Sequence, residues 1–423
     1  MSTEAVPRQA RRAALAFIFI TVVLDMLALG MIVPVLPKLI EDFVHGNTAR
    51  AAEIYGLFGT VWALMQFVFS PVLGSLSDRF GRRTVILLSN FGLGLDYIVM
   101  ALAPGVGWLF LGRIISGITS ASFSTASAYI ADVAPPEKRA AGFGMLSAAF
   151  GLGFILGPAL GGVFGNIDPR LPFWVAAGFS LLNAMYGLFV LPESLPPEKR
   201  EAFSWRRANP VGSIKLLRSH AELFGLSIST FIGNIAHEAL PTTFVLYAMY
   251  RYGWNERTVG LALATVGVCS AIVGAGMVEP AVARFGDRRV MLTGLWFGVL
   301  AFVIYGLAGT GLVFWLAIPV GGLWGLSGPS MQGLMTHRVN ASEQGQLQGA
   351  LSSIRGIAFM IGPLIFTNTF AAFIGPARDW HLPGAPYLLA ALMLTAATLV
   401  AYRATTPRSD EESPGFAATA EEA

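Results

Sequence analysis

Apolar residues gather along this chain in long blocks, parted by short polar links. A bilayer core of ~30 Å takes about 20 apolar residues of helix to cross. Twelve such windows can be placed: 13–37, 54–76, 84–104, 107–131, 140–165, 172–192, 221–249, 258–283, 289–309, 312–336, 346–374 and 384–402. The exceptional link is 193–220, which follows Pro192, contains Pro196 and Pro197, and carries six basic residues: Lys199, Arg200, Arg206, Arg207, Lys215 and Arg218. The pattern predicts an all-α membrane protein with twelve transmembrane helices in two six-helix bundles. Its expected divisions are a cytoplasmic N-terminus (1–12), an N-terminal half (13–192), a cytoplasmic linker (193–220), a C-terminal half (221–403) and a disordered cytoplasmic tail (404–423). The first apolar run is too long for the core of a signal peptide and lacks a small-residue cleavage site, so it is read as the first span.

Composition sharpens this picture. Of 423 residues 54% are hydrophobic and only 13% charged, about half the ~25% charge of soluble domains, and the mean hydropathy is +0.63. A soluble globule could not hide that much apolar surface. The single cysteine, Cys269, lies in an apolar run, which rules out an intramolecular disulfide and argues against a metal cluster.

The positions of the positive charges predict the orientation, because Lys and Arg resist translocation. If the N-terminus is inside, the cytoplasmic segments carry 20 of the 28 basic residues. The opposite loops hold six: Lys38, Arg50, Arg170, Arg251, Arg257 and Arg378. Arg113 and Arg355 remain within spans. Both termini are therefore expected in the cytoplasm of a cell whose inner membrane holds the protein.

The two halves repeat one another. At an offset of 205, Arg79-Phe80-Gly81 matches Arg284-Phe285-Gly286 and Arg83 matches Arg288. At the same offset Gly117 matches Gly322, Gly144 matches Gly349, Leu146-Ser147 matches Leu351-Ser352, and Gly157-Pro158 matches Gly362-Pro363. Parallel six-helix repeats are a mark of secondary transporters.

The link between spans 2 and 3 reads Gly74-Ser75-Leu76-Ser77-Asp78-Arg79-Phe80-Gly81-Arg82-Arg83. Physically, it is a tight turn presenting one carboxylate and three guanidiniums, able to latch onto helix ends and carboxylates. The plainer reading is a topogenic basic loop. This segment resembles the signature loop of the major facilitator superfamily (MFS), and 279–289 resembles its degenerate second copy. The resemblance implies that Asp78 faces the start of span 11 and that Arg79 pairs near Asp132 at the end of span 4. Residues 109–117 (Leu-Phe-Leu-Gly-Arg-Ile-Ile-Ser-Gly) resemble the span 4 motif of that family, with its buried arginine at Arg113. An unpaired charge there would be costly. Gly153, Gly157, Pro158, Gly161 and Gly162 resemble the span 5 antiporter motif. Glycines so spaced form a groove for close helix packing, and Pro158 permits a bend; packing and a gating hinge are compatible roles.

Within the superfamily the chain resembles the TetA-type tetracycline/proton antiporters. The carriers are 24–37 in span 1, Leu95-Asp96-Tyr97 in span 3, Tyr129 to Asp132 in span 4 and 344–349 at the start of span 11. It departs from them in two places. They carry a histidine just before the Trp of the span 7–8 turn and an acid in the span that follows span 8, where this chain has Gly253 and Gly298. It has instead His237-Glu238 within span 7.

Acids within a membrane are rare and usually functional, and burial drives their pKa towards neutrality, as a proton carrier requires. Asp25, Asp96, His237 and Glu238 are the proton-coupling candidates; the alternative for Asp25 and Asp96 is a fixed structural role, for instance as a partner of Arg113, and for His237 and Glu238 a structural role. Arg355 could neutralise Glu238 or an anionic substrate. No lysine follows a glycine, so there is no Walker-type loop and no ATP drive; no G-x-S-x-G elbow or zinc-protease helix occurs. The chain is expected to be no enzyme, to need no cofactor but the proton, and to bind no nucleic acid. It is expected to act as a monomer in the lipid bilayer on a small-molecule substrate. The leading expectation is export of a hydrophobic or amphiphilic compound against protons by alternating access. Gln66, Asn90, Tyr129, Asn234, Tyr247, Trp324 and Gln332 are expected to join the acids in the pocket. Uptake or facilitated transport of a sugar or similar polar solute is the alternative; a membrane sensor would call for an added soluble domain.

Overall fold

The computed structural model describes residues 8–119, 122–133, 136–200, 217, 221–340 and 343–406. The ends of the chain and most of the basic 193–220 link, Arg206, Arg207, Lys215 and Arg218 included, lie outside the described residues. The described residues form helices and turns without a strand, as they must where no water is present to satisfy an open backbone.

Span 1 is Arg8–Ile32, followed by a short helix Leu36–Phe43. Spans 2 and 3 are Thr48–Phe80 and Arg82–Ala101; span 4 is Val106–Thr119 continued by Ser122–Val133; spans 5 and 6 are Pro136–Gly165 and Leu171–Val190. In the second half span 7 is Ala221–His237 plus Ala239–Tyr252, and span 8 is Glu256–Ile272 continued through a π-turn, Val273–Met277, into Val278–Phe285. Span 9 is Asp287–Leu307, span 10 runs in four short pieces from Gly311 to Thr336, and spans 11 and 12 are Gln344–Ile374 and Ala385–Ala404. Ten described helices are long and apolar enough to cross a membrane. Span 7 is not among them, because it breaks at Glu238, whose amide bonds to Ile235 in a tighter turn.

Local chemistry sets the helix ends. Asn47 caps span 2 by accepting from Arg50 N at 2.9 Å, and Asn255 caps span 8 by accepting from Thr258 N at 2.9 Å, each satisfying an amide left over at a helix start. Gly81 and Gly286 turn the chain between spans 2–3 and 8–9 with φ of 99° and 77°, a backbone that favours glycine. Span 1 packs on spans 5 and 6, span 3 on span 6, and span 12 on spans 7 and 9. The halves join through span 2 on span 11 and span 5 on span 8.

Candidate functional site

The seam between the halves is built on small residues. A Cβ added at Gly56 would lie 3.1 Å from the Pro363 carbonyl oxygen, and one at Gly260 would lie 2.4 Å from that of Pro158. Pro158 and Pro363 are repeat mates, so the same glycine-on-proline-carbonyl contact closes both sides. Gly59 also abuts Pro363, Thr60 Oγ1 donates to Met360 O at 2.8 Å, and Gly356 abuts Phe67. On the other side Gly162 abuts Gly260, and Gly267 abuts Ile155. Apart from the Gly356–Phe67 contact, which lies near the middle of spans 2 and 11, these contacts lie in the part of each span remote from the basic 2–3 and 8–9 turns. Towards those turns, a Cβ at Gly74, Gly144, Gly274 or Gly345 would meet nothing within 4 Å. The two bundles are shut at one end and parted at the end that bears the basic turns.

Within the second half opens a cavity of about 540 Å³, walled mainly by spans 7, 9 and 10 with parts of spans 8 and 11, and touched from the first half by Phe154. Phe302, Tyr305, Trp324 and Phe154 supply rings, Asn234, Gln332, Ser229 and Ser327 supply polar groups, and His237 and Arg355 supply the basic ones. His237 stands where span 7 breaks, its ring 5.6 Å from that of Trp324 and its Nδ1 3.7 Å from Glu238 Oε1. Glu238 itself is turned into the packing against Gly362 and is 9% exposed.

The remaining membrane acids lie in the first half, away from this cavity. Asp25 is buried between spans 1, 3 and 6. Asn183 Nδ2 donates to Asp25 Oδ1 at 3.3 Å. With the Asn90 amide oriented so that its nitrogen faces the carboxylate, Asn90 donates to Oδ1 and Oδ2 at 3.3 and 3.2 Å and accepts from Asn183 at 3.0 Å. Thr21 Oγ1 donates to Asn183 Oδ1. Asp96 is fully buried, with Arg113 Nη2 3.8 Å from its Oδ2; the same nitrogen donates to the Met100 sulfur at 3.2 Å.

At the 2–3 turn the guanidinium that binds Asp132 belongs to Arg82. Its Nε donates to Asp132 Oδ2 at 3.2 Å, and its Nη1 reaches Asp78 Oδ1 at 2.6 Å and Ser77 Oγ at 2.5 Å. The expected Arg79 partner is thus corrected. Arg79 closes span 2 and lies over the Phe80 ring at 5.0 Å, whereas Arg82 opens span 3 beyond the Gly81 turn and points back. Asp78 stays within its own hairpin, paired with Arg82, and does not face span 11 as expected, because spans 2 and 11 are parted at this end. Arg83 Nη2 donates to the Leu188 carbonyl at 2.5 Å. Glu193 fills the space beside Gly81 and accepts from the backbone N of Arg82, Ser194 and Leu195.

The sequence model of the Major Facilitator Superfamily matches residues 18–363, and again 226–421. The chain belongs to this superfamily. It is 38% identical over 371 residues to the class C tetracycline resistance protein of Escherichia coli, covering 87% of this chain and 91% of that one. It is 36% identical over 375 residues to the class G tetracycline resistance protein of Vibrio anguillarum, covering 87% and 93%. Among solved structures, the nucleoside transporter NupG superposes with a TM-score of 0.75 at 13% identity over 93% of this chain and all of that one.

Seen as a member of this superfamily, the chain's expected site residues separate by place. His237, Asn234, Trp324 and Gln332 line the cavity. Asn90 does not, being one of the two amides around Asp25. Tyr129 is buried against the end of span 6, where its hydroxyl donates to Pro192 O at 2.9 Å. Tyr247 is held in an aromatic core with Phe314, Phe370 and Tyr387. Gln66 sits half-buried on span 2, outside the cavity wall. Gly153, Gly157 and Gly161 pack on span 1 from Met26 to Met31, and Gly162 packs on span 8. Of the two departures from the TetA-type pattern, the structure gives a physical reason for the one at Gly298. Gly253 ends span 7 with φ of 64°, a left-handed turn that glycine takes freely and that His45 and His381 also adopt in this protein. A Cβ at Gly298 would fall 2.8 Å from Trp324 Cγ and 2.5 Å from Leu394 Cδ2, so Trp324 occupies the room an acid would take. Sequence reasoning missed Asn183, Glu193, Gly56 and Gly260; Asn183, an amide at the centre of the apolar 171–190 run, was the one with a visible signal.

Proposed function

We propose that this protein exports an amphiphilic small molecule in exchange for protons, working as a multi-pass inner-membrane antiporter with both termini and the 193–220 link in the cytoplasm. The observation that carries the reading is the cavity: apolar and aromatic, closed at one end by glycine contacts and open at the end with the basic turns. Kinship with tetracycline resistance proteins supports a drug-like substrate. A sugar site would need a broad polar lining, and span 10 offers the cavity mainly glycine, apolar and aromatic surface. The coupling ion is the proton and no other cofactor is required. Asp25 is the carrier: two amides hold it in place without neutralising it, so it can lose and regain a proton as water reaches it from either side. Glu238, beside His237 at the break in span 7, relays occupancy of the cavity to the seam through Gly362.

Inside-out vesicles with an imposed pH gradient, acid inside, test this reading. They should accumulate tetracycline or a related amphiphile, and should release it when the gradient is collapsed. Equal uptake with and without the gradient refutes the coupling. Cysteine labelling at Ser204 that succeeds only from outside intact cells would reverse the orientation.

A further inference from the structure

The cavity has a sign. Its wall includes two basic side chains, His237 and Arg355, and no carboxylate. Arg355 lies eleven residues into span 11, about 16 Å from the helix start at 1.5 Å per residue. It is exposed to the cavity, and among the described residues it forms no ion pair. Arginine stays charged at any working pH, and a cation at such depth is retained only where water or a partner meets it. The carboxylate of Glu238 is turned into the packing against Gly362, outside the cavity wall, with its Oε1 3.7 Å from His237 Nδ1. The opposite wall cannot supply one, since at Gly298 the Trp324 ring and Leu394 leave no space even for a Cβ. Among the described residues the cavity wall thus offers Arg355 no counter-charge, and an anionic occupant would supply one.

We infer that the cavity selects organic anions: a planar aromatic body carrying a sulfonate, carboxylate or enolate. The body lies among Trp324, Phe302 and Tyr305, the charge meets the Arg355 guanidinium in charge-assisted hydrogen bonds, and Asn234 and Gln332 donate to the remaining oxygens. This assignment takes from the preceding reading only that the cavity holds the transported molecule.

Three probes that share a pyrene body isolate the charge: 1-pyrenesulfonate, 1-pyrenemethanol and (1-pyrenylmethyl)trimethylammonium. Their affinities for the full-length protein in nanodiscs of neutral lipid are read by tryptophan quenching, with no gradient present. The sulfonate should bind at least about tenfold tighter than the ammonium, as expected for one contact with opposite charge partly screened by cavity water. In Arg355→Gln that ratio should fall to about one, while pyrenemethanol, which reports the folded cavity, keeps its affinity. Arg355→Lys should retain most of the preference. Wild-type protein that binds the ammonium as tightly as the sulfonate overturns the inference without recourse to a variant, and so does Arg355→Gln with an unchanged ratio. The export reading fails separately: vesicles that never accumulate any substrate on a pH gradient would refute it and leave the anion preference standing.

Discussion

Adding one methyl group at Gly260 should push the protein towards the state opposite to the one described. The new Cβ would lie 2.4 Å from the Pro158 carbonyl oxygen and 2.9 Å from Gly162 Cα. Both are backbone atoms, so no side chain can swing away. Ordinary contact begins near 3.4 Å, and spans 5 and 8 must part by about 1 Å to reach it. Overpacking of this kind costs about 1–3 kcal/mol. The cost falls only on the arrangement in which this seam is closed, so the balance between arrangements shifts by about 5- to 150-fold. Alanine is a better helix former than glycine by about 1 kcal/mol, so folding yield should not fall and the effect should be conformational. Spin labels at Asn166 and Arg251, on exposed positions of the two halves in a Cys269→Ser background, would report the opening as a longer inter-label distance. Transport should slow in parallel. Gly56→Ala is the built-in comparison: its Cβ would meet the Thr367 side chain first and come no nearer than 3.1 Å to the Pro363 carbonyl oxygen, against 2.4 Å to that of Pro158 at Gly260, so the shift should be smaller. An unchanged distance distribution in Gly260→Ala would refute the claim that glycine contact holds this end shut.

Asp25→Asn should abolish pH-driven accumulation while substrate binding persists, since an amide can still hydrogen-bond with Asn90 and Asn183; uphill pumping at the wild-type rate in vesicles would remove Asp25 as the carrier. Arg82→Gln should cut transport severely, because it frees both Asp78 and Asp132 at once. Arg79→Gln should act weakly, and melting temperatures of both should stay near wild type since such partly exposed pairs contribute about 0.2–1 kcal/mol each; equal transport losses in the two variants would count against the latch. Asp96→Asn should lower thermal stability by about 3–5 kcal/mol by leaving the Arg113 charge buried alone, and Asp96→Asn with Arg113→Gln should recover part of the loss; a double variant less stable than the single one would contradict this.

The spans were legible because a bilayer imposes length and hydropathy on each segment separately. The repeat at offset 205 was legible for a similar reason, and the structure gives it a meaning in the twin contacts of Pro158 and Pro363. What the chain did not disclose was the face each polar or aromatic residue presents. Tyr247 and Trp324 are both aromatic residues in apolar helices, yet one is packed in a core and the other walls the cavity. Their difference lies in neighbours such as Phe314 and Gly298, tens of residues away. The latch shows the same limit over a shorter range. Arg79 and Arg82 differ by three positions, and the positive φ of Gly81 decides which of them can turn back to Asp132. Glu193 escaped notice because its partners are backbone amides, which leave no mark on composition.

The pairing of Gly298 with Trp324 fixes the order in which this protein could change its taste for charge. A carboxylate at 298 cannot be gained first, because the indole and Leu394 already fill its place. Position 324 would have to shrink beforehand, and that step removes the ring on which His237 rests and part of the aromatic surface for the substrate. An intermediate on that route is poorer for anions before it is better for cations. Selection with a cationic drug should therefore draw first-step mutations from elsewhere in the cavity, with acids at 298 arising only in backgrounds that have already lost the tryptophan.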